Sequence, residues 1–387
     1  MTCNRPAAWI VVTALAVPLL IPVQPAAAQA PIPDAIKTGT EPERQRIAVQ
    51  QYIKAQVERL SSTDPAARAA ARDALVSESG ATAAPSAGAN APTASYIDVY
   101  ATELNAELSR VLTAAETPME AKLNAAIVVQ RVARGDRNAR LEPSAKAAMS
   151  AKADPVALWG VKASAQLVPA SLGVRPRNND LLAQVLATTQ ARKSDVLVVD
   201  AYDALTLTTY STPADQLRVS IPDARWRELV PLVWPALAKH WSARLERFDP
   251  GAGTNASGSP VDPSAEQIPA SFVGSVRTWP ALQPAQQLEA AQLLINQLSA
   301  AAERVVAGGD DREAFGNVAR RTAAALSVIG DTEGNAALRD AGRAAAGLGP
   351  NATVAAVRQA ATAVITAARA VPKFAKLQPP PVSTRPS

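Results

Sequence analysis

Within residues 223–248, Trp226, Trp234 and Trp241 stand among Arg225, Arg227, Lys239 and Arg244. Indole faces stack on sugar rings, and neighbouring guanidinium and ammonium groups hold anionic substituents. Trp226, Trp234, Trp241 and Arg227 are therefore the candidate ligand-binding residues, for a carbohydrate or another polymer of the cell envelope. The same spacing has a packing reading. Trp226, Val230, Val233, Leu237 and Trp241 recur at helical intervals, as the buried face of a helix requires.

His240 is the only histidine. A histidine-based metal cluster or a Ser-His-Asp triad elsewhere is thereby excluded, since each needs an imidazole at its site. Lying between Lys239 and Trp241, His240 reads as a surface or interfacial residue. No Gly-x-Ser-x-Gly, His-Glu-x-x-His or phosphate-cradling glycine loop occurs. Asp310, Asp311 and Glu313 lack the spaced oxygens and central glycine of a calcium loop, and read as acids opening a helix. Arg134-Gly135-Asp136 spells an adhesion tripeptide inside a helix-ending turn. Asn255-Ala256-Ser257 and Asn351-Ala352-Thr353 are glycosylation sequons, meaningful only in a host that uses them. A pair of carboxylates for glycoside hydrolysis stays open, because folding can bring acids together from anywhere in the chain. The expectation is a protein without enzyme activity, with no catalytic residue, no metal and no cofactor.

The elements that would position these residues are helices. Hydrophobic residues make up 48% of the 387 and aromatic residues only 4%. Such a core packs helices closely through small side chains. Residues 117–169 carry the clearest punctuation. Thr117-Pro118-Met119-Glu120 spells a capping box with proline at the first helical position. Met119, Leu123 and Ile127 then share a face, and Gly135 is placed to end the helix. A second helix is expected from Glu142-Pro143 to about Lys152. A third opens at Asp154-Pro155, buries Val156, Trp159, Ala163 and Leu167, and stops at Pro169. Asp64-Pro65, with Ala71 and Leu75, repeats that opening. Further helices are expected over residues 40–61, 95–115, 180–192, 195–209, 284–308, 312–329, 331–348 and 351–371, and Pro231 and Pro235 should kink or divide the one at 223–248.

The Asp-Pro opening followed by alanines and a closing leucine resembles the second helix of a HEAT-type repeat, over residues 64–79 and 117–169. The resemblance implies stacked antiparallel helix pairs that present binding surfaces, and it carries no catalytic residues. The chain departs from the pattern in lacking a steady period near 40 residues.

Residues 1–28 read as a secretory signal peptide: Arg5 in the n-region, an apolar stretch over 7–23, and Ala26-Ala27-Ala28 for cleavage. Pro18 and Pro22 keep the apolar run short of a membrane span. Cys3, the single cysteine, lies before that stretch and leaves with it. The formal charge of +5 is spread without a dense basic block, which argues against a nucleic-acid partner. The expected organisation is all-α: an irregular HEAT-like region over 29–248, a linker or loop at 249–269, a helical bundle over 270–371 and a disordered tail at 372–387. The expected role is an exported, periplasmic or secreted bacterial scaffold for an unknown protein or cell-envelope polymer, with no transmembrane span after cleavage.

Overall fold

The computed structural model describes residues 30–80, 91–174, 180–192, 195–207, 221–246, 263–308 and 311–380. The expected signal peptide at 1–28 lies outside them, as do the sequon Asn255-Ala256-Ser257 and the last part of the expected tail. Among the described residues the fold is all-α, with short 3₁₀ turns and no strand. The α-helices are α1 (Asp34–Lys37), α2 (Pro42–Arg59), α3 (Pro65–Glu78), α4 (Ala94–Thr113), α5 (Met119–Asp136), α6 (Glu142–Ser150), α7 (Asp154–Val174), α8 (Asp180–Ala191), α9 (Val198–Thr206), α10 (Asp223–Leu245), α11 (Gln267–Val273), α12 (Pro284–Ala307), α13 (Arg312–Thr332), α14 (Ala336–Ala346) and α15 (Val354–Arg369). None is long and apolar enough to cross a membrane.

Local chemistry opens many of these helices. The Asp64 carboxylate accepts from the amides of Ala66 at 2.9 Å and Ala67 at 3.2 Å, ahead of Pro65 at the first helical position. Thr93, Asn335 and Thr353 cap α4, α14 and α15 in the same way. The expected capping box at Thr117 does not form. Pro118 is the N-cap of α5 and no side chain caps it. A box occurs instead at α12, where Gln283 and Gln286 satisfy each other's backbone amides. The left-handed residue that ends α5 is Arg137, at φ 54°, rather than Gly135. Its amide bonds the Ala133 carbonyl at 2.9 Å.

Burial overrides the proline signals. Pro169 lies inside α7, and Pro231 and Pro235 lie inside α10, without ending either helix. A proline removes one backbone bond, but α7 is packed against α5, α6 and α9, and α10 against α8, α9 and α12. The buried stripe of α5 also differs from the expected one. Ala121, Ala125, Val128 and Val132 are buried, while Met119 is 48% exposed.

Helices two apart in the chain pack in two interlocked rows. One row runs α2, α4, α6, α8, α10, α12; the other runs α3, α5, α7, α9, α11, α13. Each row buries its inner face against the other, and the core residues form a single connected cluster from Ile32 to Leu377. The rows continue across the linker expected at 249–269: α10 packs on α12 and α9 on α11. Residues 263–269 of that stretch are helical, with Glu266 fully buried.

The last helices close on themselves, α14 on α13 and α15 on α12, α13 and α14. Here the backbones nearly touch. A methyl group on Gly342 would lie 2.7 Å from the Ser327 amide nitrogen and 2.8 Å from the Ala323 carbonyl. Gly160 in α7 meets Met149 of α6 as closely, at 2.6 Å. The tail expected at 372–387 is ordered at its start. Phe374 is buried edge-on against Trp279 at 5.8 Å, and Lys373 bonds Glu333 at 2.6 Å.

Candidate binding site

The tryptophans singled out in the sequence belong to α10, a helix covered on most sides. Trp234 and Trp241 are 1% and 0% exposed, and Trp226 is 7% exposed. Stacking on a sugar needs an open indole face, and these faces are occupied by the core. Phe272 tilts against Trp226 at 5.7 Å, and the Arg277 guanidinium covers it at 4.5 Å. Arg227 is exposed while the three indoles are buried, so the structure does not gather the four residues into one ligand surface. The packing reading of the spacing describes them correctly: Trp226, Val230, Val233, Leu237 and Trp241 are all buried.

The indole nitrogens of α10 tie it to α12. Trp234 Nε1 donates to Glu289 at 2.6 Å, and Trp241 Nε1 donates to the Gln297 side-chain carbonyl. Gln297 then donates to the Glu266 carbonyl and to Thr322 Oγ1, both at 2.9 Å. Arg244 Nε donates to the Glu266 carboxylate at 2.6 Å, with both side chains almost wholly buried, and the Tyr202 hydroxyl donates to its other oxygen. Burial, followed by the charge of Glu266 and the bond to it, pushes the Tyr202 phenol well above its ordinary pKa. His240 is buried, edge-on to Tyr202 at 4.9 Å. It is neither a surface residue nor part of an open site.

This network joins α9, α10, α12, α13 and the 3₁₀ turn Pro263–Glu266. Its side chains hydrogen-bond one another inside the core and so tie these helices together. No local pattern announces it, because Tyr202, Glu266 and Gln297 lie far apart in the chain and match no motif. Among the described residues no three His, Cys, Asp or Glu side chains are grouped to hold a metal ion.

A groove of about 780 Å³ lies elsewhere, between α4, the 3₁₀ turn Ala139–Leu141, α6 and α7. Its polar wall is prearranged. Asn138 caps the turn by accepting from the Arg140 amide at 3.0 Å, and its own amide donates to Asp98 at 3.1 Å. Arg140 donates to the other Asp98 oxygen at 3.0 Å, and that bond holds the Asp98 carboxyl below the usual range. Asp136, at the end of α5, goes the other way. Burial first, then the charge of Asp98, raise it to about 6. On the opposite wall Ser171 donates to Glu142 at 2.7 Å, and Lys146 stands 3.6 Å from Glu142.

The groove thus offers fixed charges of both signs, hydroxyls and amides, and no aromatic ring. Such a lining recognises a polar chain by hydrogen bonds and charge rather than by stacking. Asp98 and Arg140 are 42 residues apart, which is why no local pattern announced them. No protein-family model matches the chain, and no curated protein matches it either.

Proposed function

We propose that the protein is an exported helical-repeat scaffold of HEAT-like type, without enzyme activity, that binds a protein partner in the bacterial cell envelope through the groove between α4, α6 and α7. The observation that carries this reading is the packing of helices two apart in two rows, with a polar groove open between members of those rows. Stacked helix units leave extended surfaces of this kind, and such surfaces bind partners. Export rests on the signal-peptide features of residues 1–28.

The mixed charge of the groove favours a peptide segment with both acidic and basic groups. Asp98, Asn138, Arg140, Glu142 and Ser171 are already held by intramolecular bonds, so little side-chain freedom is lost on binding. The purified full chain, immobilised and exposed to envelope extract, should retain a defined protein that Asp98→Ala/Arg140→Ala releases and Arg227→Ala does not. Equal retention by the groove variant and the control would remove the assignment.

A further inference from the structure

We propose a second site, distinct from the groove: a pocket for an oxyanion, of the carboxylate class, between α9, α10, α11 and α13. The depression has a volume of about 520 Å³, and its lining includes Asp203, Trp226, Ser271, Arg277, Thr278 and Arg321. Two of these carry buried hydrogen-bonding atoms with no partner: Trp226 Nε1 and Thr278 Oγ1. Trp226 is 7% exposed and Thr278 is fully buried. Buried donors are nearly always satisfied, and an unsatisfied one lowers stability. Two such groups lining one cavity mark a place where an acceptor atom belongs.

The charges beside them select the kind of acceptor. Arg277 is locked over the Trp226 ring by its bond to the Ile221 carbonyl and by Asp223, 2.7 Å away. Arg321 is exposed at the rim. Asp203 is the acid in the lining and Asp223 already pairs with Arg277, which leaves the Arg321 guanidinium to meet a ligand's charge. The indole N–H, the threonine hydroxyl and a guanidinium together fit the oxygens of one carboxylate, since charge-assisted donors bind it best.

The test uses the full chain labelled with nitrogen-15, with Trp226→Phe to assign the Trp226 indole signal. Sodium glucuronate and N-acetylglycine are titrated separately, against sodium chloride at equal ionic strength. The expected result is a saturable shift of the Trp226 indole signal with one or both carboxylates. Thr278→Val should weaken it roughly tenfold, as the loss of one hydrogen bond to a charged group implies, and Arg321→Gln should also weaken it. Thr278→Val removes an unpaired hydroxyl, so the unliganded variant should fold at least as stably as the parent, and its loss of binding then reports on the pocket. Glucuronate acting alone assigns the carboxylate to a sugar acid, and N-acetylglycine acting alone assigns it to a peptide end. No shift beyond the chloride control, or unchanged affinity in both variants, overturns the proposal.

Discussion

The junction around Glu266 and the contact between α13 and α14 solve the same problem by opposite means. Both must hold helices together in a chain with few aromatic residues. At the junction the gap between α9, α10, α12 and α13 is filled by large side chains, Tyr202, Trp241 and Arg244, each of which hydrogen-bonds inside the core. Between α13 and α14 the gap is abolished: Gly330 and Gly342 let the backbones approach until no side chain fits between them. The first depends on every polar partner being present, the second on a side chain being absent.

The sharpest break should come from Glu266→Ala. It strips the buried Arg244 guanidinium and the Tyr202 hydroxyl of their shared acceptor, and losing one partner of a buried pair costs about 3–5 kcal/mol. Urea unfolding should show it as a large fall in the midpoint. A loss under about 1 kcal/mol, the range of exposed pairs, would mean the junction is not held by this pair. Next in size is Gly342→Val. The added side chain meets the α13 backbone rather than a movable group, and overpacking of this kind costs about 1–3 kcal/mol. If the variant unfolds at the same denaturant concentration as the parent, the helices are not in close contact.

Asp136 sharpens the contrast between matched and unmatched buried charge. Glu266 is buried beside a guanidinium, whereas Asp136 is part-buried beside the acid Asp98, and its pKa rises from 3.8 to about 6. The folded state therefore holds the Asp136 proton more tightly than the unfolded state does. Its contribution to stability is complete below about pH 4 and is lost as the pH rises through about 6. Thermal melts from pH 4 to 7 should show Asp136→Asn free of that decline. Parallel curves for parent and variant would contradict the shift. The smallest effect is expected from Arg131→Ala, which removes an ion pair to Asp73 with both side chains well exposed. Such pairs contribute about 0–1 kcal/mol, and melts in high salt should make parent and variant indistinguishable.

The helices themselves were legible because their signals are local. The Asp64-Pro65 start and the spacing of Val230, Val233 and Leu237 each involve residues within a few turns. The expectations that failed depended on surroundings. Pro169 does not end α7, because the helices around it hold it together. The tryptophans have the residue types of a ligand surface but lie under α11 and α12, since spacing shows which residues share a face and not what lies against it. The groove was invisible for a related reason: Asp98, Arg140 and Ser171 meet only after three helices have packed.

What the sequence determined alone is the all-α class and the position of most helices, because backbone preference, caps and apolar period act over neighbouring residues. It also left the chain with one histidine and one cysteine, which limited the chemistry available before any folding. The tertiary structure alone decided which polar groups are spent on the interior and which face a cavity. That choice is made between residues tens of positions apart, by how closely the helices approach and by whether each buried donor finds an acceptor there.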